Sequence, residues 1–200
     1  FNNLYIIFKG EDGYDDGGLL RDWFTSVANE VICSGAFKSV PSGHYLTVNN
    51  NCSDIKIFKF TGQLIATALK NDCNVNIKLT SFIWKLLLKE KITLDDMEEY
   101  DPLIHQSLKW ILENDATQLD ETFVDKNDKP LKPNGKNIKL TNDNKDEYIR
   151  LYLKKTFIGQ NEKLFKLIVD GFNEKITDRL LLDEYNSKTL REKINGQENI

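Results

Sequence analysis

This 200-residue chain has few of the residues that usually build metal, disulfide or nucleic-acid sites. Its three cysteines and two histidines show no zinc-like spacing. An odd number of unpaired cysteines favours free thiols in a reducing compartment. The formal net charge is −4, and no basic stripe with interleaved aromatic residues is present. We therefore expect no metal, no cofactor and no nucleic acid, and an intracellular location in the cytoplasm or nucleus.

Long apolar runs are also missing. No run approaches the roughly 20 residues that span a membrane, and no signal peptide opens the chain. Because the first residue is Phe1, we expect a fragment of a longer protein. Hydrophobic residues make up 40% and charged residues 29%, which is typical of a folded domain. Two hundred residues are enough for one core, or for a core with a small subdomain.

Apolar periodicity predicts a mainly α-helical α+β fold. Helical spacing predicts helices over 16–33, 53–71, 80–89, 101–115, 142–157, 162–175 and 187–194, with a further helix start at Thr93. Short apolar runs predict strands over 4–8 and 45–48, and a hairpin or meander over 121–140. On the first helix we expect Trp23 to be largely buried beside Phe24.

The first helix follows an acidic, glycine-rich segment, GEDGYDDGG, at residues 10–18. A glycine turn between a strand and a helix is also typical of phosphate cradles. Here no Lys is followed by Ser or Thr, and the acidic charge disfavours phosphate. Asp15 or Asp16 is placed to cap the helix, where negative charge suits the helix dipole. A structural turn is the better interpretation.

None of the cysteines has the setting of a nucleophile. A reactive thiolate needs a partner base or a positive environment. Cys33 ends a helix, where the dipole disfavours an anion, and Cys73 follows Asp72. Cys52 lies in a polar loop. We expect no catalytic residue in this chain.

Five ordered segments resemble the N-terminal lobe of the HECT-type ubiquitin ligase domain. They are residues 10–24 (GEDGYDDGGLLRDWF), Phe58-x-Phe60-x-Gly62 followed by Ala68-Leu69, Asp101-Pro102 with Ser107-Leu108-x-Trp110, Thr141-Asn142-x-Asn144-Lys145-x-x-Tyr148, and Gly171-Phe172. One departure is Ala66, which stands where the family usually has a second glycine. Ile194-Asn195-Gly196 resembles the end of the last helix of that lobe. The family's catalytic Thr-Cys-Phe-like motif does not occur in this sequence.

The resemblance implies that residues 1–200 form most of a HECT N-lobe. It would have a large helical subdomain, a small subdomain at roughly 84–157 that binds a ubiquitin-conjugating enzyme, and a hinge near 196–200 to a catalytic C-lobe. In the family, ubiquitin passes from the conjugating enzyme to a C-lobe cysteine and then to substrate lysines. The implied partners are a ubiquitin-conjugating enzyme, ubiquitin, and a protein substrate bound outside this region. We expect the fragment alone to be inactive. The alternative is a non-catalytic interaction scaffold derived from this lobe.

The resemblance also implies a docking groove with seven residues: Ile104, Ser107, Leu108, Ile111, Asn114, Leu119 and Tyr148. Ile104, Leu108 and Ile111 share one helix face. That stripe fits two structures, an ordinary core face or a partly exposed groove rimmed by polar Ser107 and Asn114. The cost of burying those two polar groups argues for the groove. The resemblance favours the groove. We then expect a partner side chain, aromatic or aliphatic, to insert between this helix and Tyr148.

Overall fold

A computed structural model describes residues 18–176 and 183–196. Two strands, β1 (Phe37–Ser39) and β2 (Leu46–Val48), pair antiparallel. The described helices are α1 (Gly18–Cys33), α2 (Lys56–Lys70), α3 (Ser81–Leu88), α4 (Asp96–Tyr100), α5 (Pro102–Glu113), α6 (Lys145–Phe157), α7 (Glu162–Lys175) and α8 (Ser187–Asn195). Single 3₁₀ turns occur at Ala116–Gln118, Gly135–Asn137 and Gly159–Asn161. The prediction of a mainly helical α+β fold is confirmed.

Local side-chain contacts set the helix starts within a few residues of the predicted positions. The Asp54 carboxylate accepts the N–H of Lys56 at 3.0 Å, which holds a turn before α2 begins. The Asp96 carboxylate accepts the N–H of Thr93 at 2.8 Å, so α4 begins at Asp96 rather than at Thr93. Polar side chains that bind the backbone just before a helix thus make the helix begin later than its apolar pattern predicts.

Helices α2 and α7 form the most extensive helix pair of the core. They cross at Gly62 and Gly171, where the backbones approach closely. A Cβ added at Gly62 would lie 1.9 Å from the carbonyl oxygen of Ile168, and one at Gly171 would lie 2.0 Å from that of Lys59. These two glycines stand in two of the segments that carry the family resemblance, so the resemblance there reflects helix packing.

Trp23 and Phe24 of α1 are buried to different degrees. Phe24 is completely buried, whereas Trp23 keeps part of its surface exposed and packs against the edge of the core cluster, in keeping with the burial expected for it. Successive residues of a helix are about 100° apart, so the two aromatic rings do not both point directly into the core. Phe24, Ala28 and Val31 form the buried face of α1, and Trp23 packs edge-on against Phe24 with 5.0 Å between ring centroids.

The segment over 121–140 is irregular and is joined by isolated antiparallel bridges, Thr122 with Lys139 and Val124 with Pro130. The predicted hairpin or meander is confirmed in that limited form. Phe123 is completely buried between these bridges and anchors the segment to the core.

Several predictions fall wholly or mostly on residues outside the described ones: the strand over 4–8, the acidic segment at 10–18 with its capping aspartates, and the hinge near 196–200. The small subdomain at 84–157 stays a prediction. Buried residues on both sides of its limits belong to one continuous cluster.

Candidate functional site

Helix α5, which carries four of the seven predicted docking residues and is followed directly by a fifth, Asn114, is fixed at both ends by side chains. At its start the Asp101 carboxylate caps the first turn and also pairs with Lys126 at 3.3 Å. At its end the ammonium of Lys145 donates to the carbonyl oxygens of Leu112 at 2.8 Å and Asn114 at 2.9 Å. The helix therefore has a defined position relative to α6.

The apolar stripe of α5 mostly faces inward. Leu108 is 2% exposed and Ile111 is 7% exposed, and both belong to the core cluster. The expected partial exposure of the stripe is therefore wrong for these two residues. Ser107 and Asn114 do not have to be buried with them, because the helix turns them onto the neighbouring, solvent-facing side.

The other predicted residues of this region lie nearer the surface. Ile104 and Leu119 are half-buried, and Ser107 and Asn114 are exposed. The Ser107 hydroxyl donates to the carbonyl oxygen of its own helix four residues back, at 3.0 Å, and the Asn114 amide does the same at 2.9 Å. A partner can therefore contact Ile104, Ser107, Asn114 and Leu119 without unfolding anything.

Tyr148 on α6 is a buried, fixed side chain. It is 6% exposed, its hydroxyl donates to the carbonyl oxygen of Val124 at 3.3 Å, and its ring packs edge-on against Phe123 at 5.5 Å. Burial raises the pKa of Tyr148 well above its ordinary value, and the nearby Tyr152 adds to that shift. Tyr148 supports the predicted docking surface from beneath rather than at its rim.

A cavity of about 460 Å³ opens between the start of α5 and the end of α6. Ile104 lines it from α5, and Tyr152 and Thr156 line it from α6. Its charged rim includes the ion pair between Lys155 and Asp125 at 3.0 Å. The space available to a partner side chain therefore lies about one turn along α6 from Tyr148, beside Tyr152.

Sequence reasoning missed two exposed apolar residues on α5. Leu103 is 75% exposed and Trp110 is 41% exposed. They stand seven residues apart, two helical turns, with Ser107 between them on the same face. This spacing was readable in the sequence, but the stronger stripe through Leu108 obscured it.

A larger cavity of about 1140 Å³ lies elsewhere, between the β-hairpin, α4 and α8. None of the seven predicted docking residues lines it. Its charges include the ion pair of Lys85 with Asp96 at 2.8 Å and that of Arg191 with Glu99. The Arg191 guanidinium also lies 4.6 Å from the ring centroid of Tyr45. The two contacts of Arg191 attach α8 to α4 and to the residue before β2, and the Lys85–Asp96 pair joins α3 to α4.

The part of the chain that the structure describes contains neither a group of metal-ligating side chains nor a helix that could span a membrane. Across residues 18–176 and 183–196, no group of three or more His, Cys, Asp or Glu side chains is arranged to hold a metal ion. In the same residues, every helix is too short or too polar to cross a membrane. Cys33 is exposed, Cys52 is half-buried and Cys73 is buried.

Comparison with known proteins decides the family. A family model described as HECT-domain (ubiquitin-transferase) matches residues 25–200. The chain belongs to the HECT-domain family. It is 33% identical to the E3 ubiquitin-protein ligase Nedd-4 of Drosophila melanogaster over 94% of this chain and 20% of the relative.

Two further relatives agree. The E3 ubiquitin-protein ligase HUWE1 of Mus musculus is 33% identical over 90% of this chain and 4% of its own length. The E3 ubiquitin-protein ligase UPL1 of Arabidopsis thaliana is 31% identical over 96% of this chain and 6% of its own length. The chain thus spans a fifth or less of these HECT relatives, and the resemblance read from the sequence is confirmed.

Proposed function

We propose that this chain is the N-lobe of a HECT-type ubiquitin ligase and that it docks a ubiquitin-conjugating enzyme through α5. Ubiquitin would then pass to a cysteine in a C-lobe outside this chain, and from there to lysines of a substrate bound elsewhere in the protein. Membership of the HECT-domain family supports the general activity. Docking through α5 needs support from the geometry of the helix itself.

The observation that carries the docking role is the cavity of about 460 Å³ beside Ile104. Its volume lies within the roughly 300–1,000 Å³ of typical ligand pockets. It opens on the helix where the resemblance places the docking groove. Ile104 and the ring of Tyr152 give the cavity an apolar part, and charged side chains surround it, as polar groups surround the apolar centre of a protein interface. It has room for an aromatic or aliphatic side chain of the conjugating enzyme.

The seven predicted residues then form two groups, those that are buried and those that could contact the partner. Leu108, Ile111 and Tyr148 form a buried floor that holds α5 against α6. The contacting side chains would be Ile104 and Leu119, which are half-buried, together with exposed Ser107 and Asn114, and Leu103 and Trp110 extend the apolar part of this surface.

The test is isothermal titration of the chain against a panel of ubiquitin-conjugating enzymes. We expect a micromolar Kd, about −8 kcal/mol, because the conjugating enzyme must leave after each transfer. Ile104→Ala should weaken binding by about 1–3 kcal/mol, as expected for an interface anchor. Ser107→Arg should weaken binding more than Ile104→Ala does, because the partner would have to cover an unpaired charge on the exposed face of α5.

Lys109→Ala provides the matched control, because Lys109 is exposed on the same helix but on a different side. Its affinity should equal that of the parent chain. Unchanged affinity in both Ile104→Ala and Ser107→Arg, with normal circular dichroism, would move the docking surface elsewhere. Binding to no conjugating enzyme in the panel would refute the proposed function.

A further inference from the structure

The segment from Thr141 to Lys145 belongs to the family resemblance, yet the proposed function gives it no role. Helix α6 begins at Lys145, with a positive charge at the positive end of its own dipole, which is unfavourable. The remaining charges of α6 follow the favourable pattern, with acidic residues in the first turn and basic residues in the last. The local sequence therefore does not account for Lys145.

A contact with a different helix does account for it. The Lys145 ammonium lies at the C-terminal end of α5 and donates to the carbonyl oxygens of Leu112 and Asn114 at 2.8 and 2.9 Å. The last carbonyls of a helix have no partner within the helix, and they form the negative end of its dipole. One charge that is misplaced for α6 is thus well placed for α5.

Asn142 makes a second connection at the same place. Its side-chain oxygen accepts the N–H of Ala116 at 3.0 Å, and its amide nitrogen donates to the Asp115 carboxylate at 2.7 Å. The side chain of Asn144 instead contacts its own loop, where its oxygen accepts the N–H of Thr141 at 2.8 Å. The segment is therefore held both to its own loop and to the residues that follow α5.

We infer that Lys145, supported by Asn142, is a positioning residue for the docking surface. It fixes the end of α5, with Ile111 in the last turn and Asn114 directly after it, relative to Tyr148, one turn further along α6. The inference rests on the proposed docking function, and Lys145 acts through α5 without contacting the partner. Hydrogen bonds from an ionised donor are about twice as strong as neutral ones, so removing the ammonium frees the end of the docking helix.

The first test compares the affinity of variants for a conjugating enzyme that binds the parent chain. Lys145→Met should bind about tenfold more weakly, a change of about 1.4 kcal/mol. Lys145→Arg should stay within about twofold, because the guanidinium keeps several donors for the same carbonyls. Lys154→Met changes an exposed lysine of the same helix and serves as the control with parent affinity. Asn142→Ala should weaken binding about threefold, and it decides the question if Lys145→Met fails to fold.

The second test is hydrogen exchange, which reports on α5 without any partner. In Lys145→Met the amides over 111–116 should exchange faster, while those of α2 and α7 keep their protection. Faster exchange there with parent-like affinity would mean that Lys145 is only structural, and unchanged exchange would mean that it does not hold α5. Either result overturns the inference while leaving the docking proposal intact. If the parent chain binds no conjugating enzyme, the docking proposal fails, and this inference fails with it.

Discussion

Replacing Gly171 by alanine gives the sharpest test of how α2 and α7 pack. In an isolated helix the change would be favourable by about 1 kcal/mol, because alanine is the better helix former. In this fold the added Cβ would lie 2.0 Å from the Lys59 carbonyl oxygen and 2.9 Å from its carbonyl carbon. Backbone atoms inside a helix cannot rotate away, so the two helices must separate.

The magnitude follows from the separation. Ordinary van der Waals contact begins at 3.4 Å, so the helices must open by about 1.4 Å from the 2.0 Å contact. A gap of even 0.5–1 Å forfeits roughly a quarter to a half of the attraction between facing atoms. Phe165, Ile168 and Phe172 of α7 are each at most 3% exposed, and a large buried side chain contributes roughly 1.5–3 kcal/mol. Losing half of that for three side chains costs about 3 kcal/mol, and the helix-propensity gain reduces the net loss to about 2 kcal/mol.

Urea titration followed by circular dichroism measures this loss in the free energy of unfolding. In a thermal melt the same loss should lower Tm by about 4–8 °C for a chain of this size. The control is Gly18→Ala, since a Cβ at Gly18 meets nothing within 4 Å. That variant should equal the parent chain or exceed its stability slightly. If Gly171→Ala were as stable as Gly18→Ala, the close crossing of α2 and α7 would be wrong.

Three other predictions concern the core, the tyrosines and the thiols. Phe24→Ala should lower the free energy of unfolding by about 3–5 kcal/mol and Trp23→Ala by less than about 2, because only Phe24 is fully buried; equal losses in denaturant titrations would contradict the assignment. The folded-state pKa of Tyr148 is raised above the unfolded value near 10, so its contribution to stability is complete below pH 10 and is lost as the pH rises further; Tyr148→Phe should flatten the alkaline part of a plot of stability against pH, and an unchanged slope would exclude Tyr148 as its source. Incubated with a ubiquitin-charged conjugating enzyme, this chain should form no reducible ubiquitin adduct on a non-reducing gel, and an adduct lost on substituting Cys33, Cys52 or Cys73 would contradict the proposed need for a C-lobe cysteine.

Periodicity predicted the helices well and their orientation less well. The predicted helix at 162–175 agrees at both ends with α7, because an apolar stripe with a charged opposite face specifies one element. Which aromatic ring of a neighbouring pair is completely buried depends on the rotation of the whole helix, and in α1 that ring is Phe24 rather than Trp23. The rotation is set by packing against other elements, which a single sequence does not state.

The candidate site shows the same division. The sequence predicted α5 and the helix that carries Tyr148, but it gave no sign of the cavity beside Ile104. The cavity is also lined by residues from other segments: Asp125, Lys126, Asn127, Lys129, Gly159 and Gln160. The contact of Lys145 with the end of α5 spans more than 30 residues. Neither leaves a periodic signal. A lysine at the first position of a helix, against the dipole, was the one local sign of that long-range contact.

Helix α5 has both a buried face and an exposed face. The polar residues Ser107 and Asn114 beside the apolar stripe predict that the stripe itself reaches solvent, but they lie on a different side of the helix from it. Leu108 and Ile111 occupy the buried face. Leu103, Ser107 and Trp110 occupy the exposed one, and Ile104 lies at the border between the two. Leu108→Ala would therefore lower stability by about 2–5 kcal/mol before it reported on binding, whereas Ile104→Ala separates docking from folding.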